Sequence, residues 1–212
     1  MISTQSRIEK LLMTIDTLGV VKIKHLQKIH DLKSYRNACR VVQQLRPYIN
    51  QSFHNREKII YLNKAGRELI GATKEVKKTS GIEHDLLRNE VYLHFECPID
   101  WKPEFITEIE IEAVPTLEMK INGLKPVTKR RIVSDAAFIR NGYIHLVEVD
   151  NTRDMIDNKK KIQRYEELIP LIKEAVPVLL FFTTTEDRKR KLETWCKGRG
   201  FRYDISTFSD IK

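Results

Sequence analysis

Ile8, Leu11, Leu12, Ile15 and Leu18 recur at helical spacing and Gly19 follows them, so the pattern predicts a helix over 6–18. A second, shorter helix fits "IKHLQKIHD", with Ile23, Leu26 and either Ile29 or His30 turned inward. Ser34 is placed as the N-cap of a third helix, 35–45, whose inward stripe is Ala38, Val41, Val42 and Leu45. Pro47 stops it. The period then changes from helical to alternating: 48–53 and 58–62 flank "HNRE", which predicts a β-hairpin with a polar, basic tip. Asn63 can cap a last short helix containing Leu69 and Ile70. Residues 73–81 are polar, basic and closed by Gly81, and read as a linker between a domain at 1–72 and another at 82–212.

The second part begins with a helix over 82–95, carrying Leu86, Leu87, Val91 and Leu93. "ITEIEIEAV" alternates as a strand whose partner the pattern does not name, and "KINGLKPVTKRR" reads as a basic loop. From Ile132 the order is strand, Asn141-Gly142 turn, strand. Thr152 can then cap a long helix, 153–174, with Ile156, Ile162, Tyr165, Ile169 and Ile172 inward. "PVLLFFT" is apolar without alternation, as a central strand is. A helix capped by Thr185 and a strand over 201–207 complete the chain. Helical crossovers after a hairpin predict a mixed α/β sheet, α+β overall, with helices packed against it.

Composition changes this picture little: 41% of the 212 residues are hydrophobic, 32% are charged, and no apolar run exceeds strand length. Without a signal-like N-terminus or a membrane span, a cytoplasmic location is expected. Cys39, Cys97 and Cys196 have neither zinc nor disulfide spacing. Charge changes it more. Residues 1–79 hold 16 Lys and Arg against 6 Asp and Glu, whereas residues 80–212 hold 22 against 23. A basic unit of three helices and a hairpin has the order of a winged helix-turn-helix. On the third helix Ser34, Tyr35, Arg36, Asn37, Arg40 and Gln44 fall largely off the apolar stripe, where they could contact phosphates and base edges of double-stranded DNA; Arg56 at the hairpin tip could join them. The same fold could instead serve protein contact or a homodimer. His25, His30 and His54 read as ordinary surface or half-buried residues.

The chemistry concentrates in "SDAAFIRNGYIHLVEVD". With Asn141-Gly142 as a two-residue turn, Arg140 pairs with Tyr143, Ala137 with Leu146 and Asp135 with Glu148; Asp150 lies two residues beyond on the same face. Three carboxylates at one end of a sheet face repel unless something positive joins them. Mg²⁺ or Mn²⁺ would suit such oxygen ligands. Lys159, Lys160, Lys161 or Arg131 could balance them instead.

An Asp on one strand, a turn, then Glu148-Val149-Asp150 on the next resembles the PD-(D/E)XK nuclease core, except that Asp150 stands where lysine is usual. "EVDNTRDMIDNKKKIQRYEEL" and the two-part order also resemble the replication-relaxation family of bacterial plasmids and other mobile elements. That resemblance implies a winged helix followed by a nuclease-like domain, acting on DNA in replication, relaxation or transfer. It implies metal ligation by Asp135 and Glu148, with Asp150 as a third ligand and Glu90 as an extra acid. The lysine of the motif helps to activate water in phosphodiester cleavage; here Lys161 could project back from the following helix to replace it, with Tyr165 one turn further on. If no site is formed, Lys161 is a surface lysine and Tyr165 a core aromatic. The alternative function is a nuclease-like DNA-binding regulator or replication accessory protein that does not cleave.

Overall fold

The apolar stripe over the first helix becomes the centre of a core. In the computed structural model, which describes residues 4–76, 81–112, 127–151, 154–173 and 175–211, the chain forms two units, Met1–Ile99 and Asp100–Lys212. The first contains α1 (Thr4–Leu18), β1 (Val21–Lys22), α2 (Ile23–Ile29), α3 (Tyr35–Gln44), β2 (Ile49–His54), β3 (Glu57–Leu62), α4 (Lys64–Ile70) and α5 (Ile82–His94). Leu11, Leu12, Ile15 and Leu18 of α1 meet Leu26, Ala38, Val41, Val42 and Leu45, with Ile60 and Leu62 of β3 closing the cluster. Ser34 caps α3 by accepting from Asn37 N at 3.2 Å, and Asn63 caps α4 by accepting from Gly66 N at 2.9 Å. Gly66 is required by space, because a Cβ there would lie 2.1 Å from the Tyr48 carbonyl oxygen.

The three strands form an antiparallel sheet in the order β1-β3-β2. Asn55 and Arg56, with φ of 47° and 65°, make the two-residue turn between His54 and Glu57. Positive φ at both central residues is the type I′ arrangement that matches strand twist.

α5 corrects the expected domain break. Ile59 and Ile60 are consecutive and both fully buried, which a one-sided strand would not allow. Ile60 enters the main core, while Ile59 packs on the other side with Val20 and Leu86 of α5. Asn89, also fully buried, donates to the carbonyls of Val20 at 2.7 Å and Leu18 at 3.4 Å. The helix expected to open the second domain thus completes the first, and the break follows Ile99 instead of spanning 73–81; residues 77–80 of the expected linker lie outside the described residues. The charge balance shifts accordingly: the first unit holds 17 Lys and Arg against 10 Asp and Glu, the second 21 against 19.

The second unit is built on a five-stranded sheet, β4 (Lys102–Glu112), β5 (Val127–Arg140), β6 (Tyr143–Asp150), β7 (Val176–Thr183) and β8 (Arg202–Thr207), in that spatial order. The first three strands are antiparallel and β6, β7 and β8 are parallel. α6 (Met155–Leu168) and α7 (Glu186–Cys196) are the parallel crossovers. Ile162, Tyr165 and Leu168 of α6 and Leu192 and Cys196 of α7 cover Leu146, Leu179 and Phe181 of the sheet. Phe138 stacks on His145 at 4.6 Å and on Trp101 at 5.8 Å between ring centroids.

Three local expectations change. β4 begins at Lys102 and its partner is β5, which extends through the stretch from Val127 to Arg131 that is expected as loop; residues 113–126 lie outside the described residues. Asp154 caps α6 by accepting from Ile156 N at 3.0 Å, Thr152 lying outside the described residues. Ile156 is exposed, and α6 ends at Leu168 in a 3-10 turn, Ile169–Leu171, that contains Pro170. No helix among the described residues is long and apolar enough to cross a membrane.

Candidate functional site

Asn141 and Gly142, with φ of 53° and 78°, form the expected turn and set the register: Arg140 with Tyr143, Ile139 with Ile144, Ala137 with Leu146. The described pairing stops at Ala136 with Val147, one step before the expected Asp135–Glu148 pair. At Asp135 the alternation slips. Ile132 joins the core under α6 and Ser134 hydrogen-bonds to Tyr165 of α6, yet Ala137, an odd number of residues further, faces the same way. Asp135 turns its carboxylate onto the neighbouring backbone, and its Oδ2 accepts from Val149 N at 2.7 Å. On the adjoining strand Glu104, between the pairs Pro103–Ala136 and Phe105–Ser134, has a φ of 51°. A local break of this kind re-aims a side chain and is common beside active sites.

Glu148 is 2% exposed on the face of β6 that α6 covers. Lys161 Nζ donates to Glu148 Oε2, and Tyr165 OH donates to Oε1. A phenol has one proton, so Ser134 Oγ, 2.8 Å away, donates to the Tyr165 oxygen and completes a relay. Burial, then the nearby charge of Asp135, pushes the Glu148 carboxyl up to about 8 despite Lys161 and Tyr165. Burial and the Glu148 charge together push the Tyr165 phenol well above its ordinary range. Lys161, expected only as a candidate from the helix, therefore does reach Glu148, and Tyr165 does so from one turn further.

Asp150, two residues on, is 1% exposed and surrounded differently. Arg188 of α7 grips it with Nε on Oδ2 at 2.6 Å and Nη2 on Oδ1 at 2.5 Å. Asn158 of α6 donates to Oδ1 at 2.6 Å, and Thr183 of β7 donates to Oδ2 at 2.8 Å. Burial alone would raise this carboxyl, but the hydrogen bonds from Arg188, Asn158 and Thr183 outweigh it and hold it below its ordinary value. Asp150, expected as a third metal ligand, has its charge balanced by a bidentate guanidinium and carries two protein donors on each oxygen, where Glu148 has one.

Glu90, expected as a further ligand, lies on α5 in the first unit, where Lys22 N donates to His25 Nδ1 and His25 Nε2–H donates to Glu90 Oε1 at 3.1 Å. That bond leads the effects that hold the Glu90 carboxyl low. In the second unit the Asp135 charge acts on Glu148; among the described residues no cluster of three or more His, Cys, Asp and Glu gathers in metal-binding geometry.

On α3, Tyr35, Arg36, Arg40 and Gln44 are exposed opposite the buried stripe. Ser34 is committed to its cap, and Asn37 donates to the Leu32 carbonyl at 3.0 Å while accepting from Arg40 at 3.3 Å. Arg56 is exposed at its turn, beside His54 and Asn55, both hydrogen-bonded to Glu83 of α5. Ser134, Asn158, Thr183 and Arg188 join the site without having been expected there. Asn158 has a visible signal in the sequence, because it precedes Ile162 and Tyr165 by four and seven residues and so interrupts their buried stripe with an amide. Arg188, in a basic run, has none. Compared with known proteins, the chain matches no family model, no curated protein and no solved structure.

Proposed function

We propose that this chain is a DNA-binding protein of a plasmid or other mobile element, in which a winged helix-turn-helix unit docks on duplex DNA and a PD-(D/E)XK-like unit cleaves or nicks a phosphodiester with Mg²⁺ or Mn²⁺. The observation that carries the reading is Glu148, buried at a strand end beside Asp135 and held by Lys161 and Tyr165. For the first unit the support is the order of three helices and a hairpin, the exposed Tyr35, Arg36, Arg40 and Gln44, and an excess of basic residues. The mobile-element context and the role in replication, relaxation or transfer rest on the family resemblance.

Asp135 and Glu148 would hold the cation, a donor set that fits Mg²⁺, which takes one or two carboxylates and keeps several waters. Their chemistry supports the fit: two carboxylates crowd a dry site, and Lys161 alone does not bring Glu148 down to its ordinary range. The ion would supply a nucleophilic water and neutralise phosphate charge. Tyr165 and Ser134 fix the orientation of Glu148, and Lys161, donating to Glu148 from α6, would take the role of the motif lysine, while Asp150 is engaged by Arg188. That engagement also favours a second reading: the strand position of the motif lysine serves the fold, so the domain could bind DNA without cutting it.

Conversion of supercoiled plasmid with Mg²⁺ or Mn²⁺ decides between them. Wild type should nick, and Asp135→Ala and Glu148→Gln should slow nicking by about 100-fold or more. Intact DNA binding without cleavage under either metal leaves the non-cleaving reading. Arg36→Ala with Arg40→Ala should weaken duplex binding and lower its salt dependence by about 0.9 in slope per lost phosphate contact; unchanged affinity would remove α3 as the recognition helix.

A further inference from the structure

Beside Glu148 the second unit has a cleft of about 520 Å³ whose walls are β5 and α6. Arg131 and Val133 line it from the strand, and Asp157, Lys160, Lys161 and Arg164 line it from the helix. The helical four fall at steps of three, one and three residues, so they share one face over two turns. Among these six, four are cationic and one is acidic. Asp157 is itself 3.9 Å from Lys160. Across the ladder from Arg131 stands Glu108, but Lys129 Nζ holds its carboxylate at 3.0 Å. No carboxylate among the described residues pairs with Arg131 or Arg164. Lys161 belongs to both places, lining the cleft and donating to Glu148.

Of the four cations only Lys160 and Lys161 have acidic partners among the described residues, Asp157 and Glu148, so the cleft keeps an excess of positive charge that gains by meeting an extended anion. A row of guanidinium and ammonium groups along one helix face opposite one strand matches a single phosphodiester backbone. A duplex would need contacts to two backbones. We propose that this cleft binds the backbone of one nucleic-acid strand, with Arg131, Lys160 and Arg164 on phosphates and Lys161 linking the cleft to Glu148. The substrate class rests on the function proposed above; the binding itself involves neither metal nor cleavage.

The test is binding of fluorescein-labelled octathymidylate to the full chain by anisotropy, in EDTA and at low salt, so that neither duplex recognition nor cutting contributes. Lys160→Ala with Arg164→Ala should weaken binding at least tenfold and reduce the salt slope by about 1.4, at roughly 0.7 per phosphate on a single strand. Asp157→Asn should tighten binding severalfold, a gain that a damaged fold could not produce. Arg36→Ala with Arg40→Ala should leave it unchanged. The proposal is overturned if wild type does not bind, if the Lys160/Arg164 variant binds as wild type does, or if the α3 variant loses as much. Failure of the plasmid assay with these shifts intact would remove cleavage and keep the cleft; cleavage without them would place the strand elsewhere.

Discussion

Glu148 and Asp150 lie on the same strand, point to the same face and are almost equally buried, yet their carboxyls move in opposite directions: Glu148 up to about 8, Asp150 below its ordinary value. Burial raises both. Though both are shut off from solvent, Glu148 is the more deeply enclosed, and the donors differ as well. Asp150 has a two-pronged guanidinium, an amide and a hydroxyl. Glu148 has one ammonium and one phenol, and faces a second acid. Depth, donors and neighbouring charge together set the state of a buried acid. The comparison also separates roles. A carboxylate with two donors on each oxygen anchors α6, β7 and α7 to the end of β6, whereas one with a single donor on each keeps acceptor capacity that a cation could use.

The harshest way to break the contrast is Arg188→Ala. Leaving Asp150 buried without its guanidinium should cost about 3–5 kcal/mol in urea unfolding, and adding Asp150→Asn should recover part of that loss. A smaller change here would mean that Asn158 and Thr183 suffice.

The pH dependence of stability should show the two acids with opposite signs. Glu148 has a raised folded pKa, so its contribution is fully present below its ordinary 4.5 and is lost as pH rises through about 8. Glu148→Gln should flatten that decline, which is on the order of a few kcal/mol because each tenfold change in proton affinity is worth about 1.4 kcal/mol. Asp150 has a lowered pKa, so its contribution is present above its ordinary 3.8 and is lost as pH falls through the lowered value. Asp150→Asn should flatten the acid limb alone. Parallel pH profiles for the two variants would contradict the contrast.

Tyr165→Phe removes the donor to Glu148 and the acceptor of Ser134 without changing the ring's packing, and should cost about 1–3 kcal/mol in thermal or urea unfolding. Ser134→Ala leaves Tyr165 on Glu148 and should cost about 1 kcal/mol or less by the same measurement. Equal losses would mean that the hydroxyl relay, and not the carboxylate, holds this corner.

Legibility followed the range of the interactions. The Asn141-Gly142 pair supplied the hairpin register because a two-residue turn needs positive φ that these residues tolerate. The approach of Lys161 and Tyr165 to one side was readable because residues four apart share a helix face. The bend at Asp135 was not, since three strands must be in place before an alternation can slip. The attachment of α5 leaves only a faint trace in the sequence. Val20-Val21 at the entry to β1 and Ile59-Ile60 within β3 are buried doublets, and a doublet buried on both faces needs a cover on each.

By itself the sequence determined most of the elements, the hairpin and most of the helix faces, because capping, turn geometry and hydrophobic period act within a few residues. Only the tertiary structure decided that α5 belongs to the first unit, that Asp150 is satisfied by Arg188 and that Glu148 is left to Lys161 and Tyr165. The physical reason is the same in each case. A buried acid or a two-faced strand specifies that a partner must exist, while the packing of segments distant in sequence determines which partner arrives.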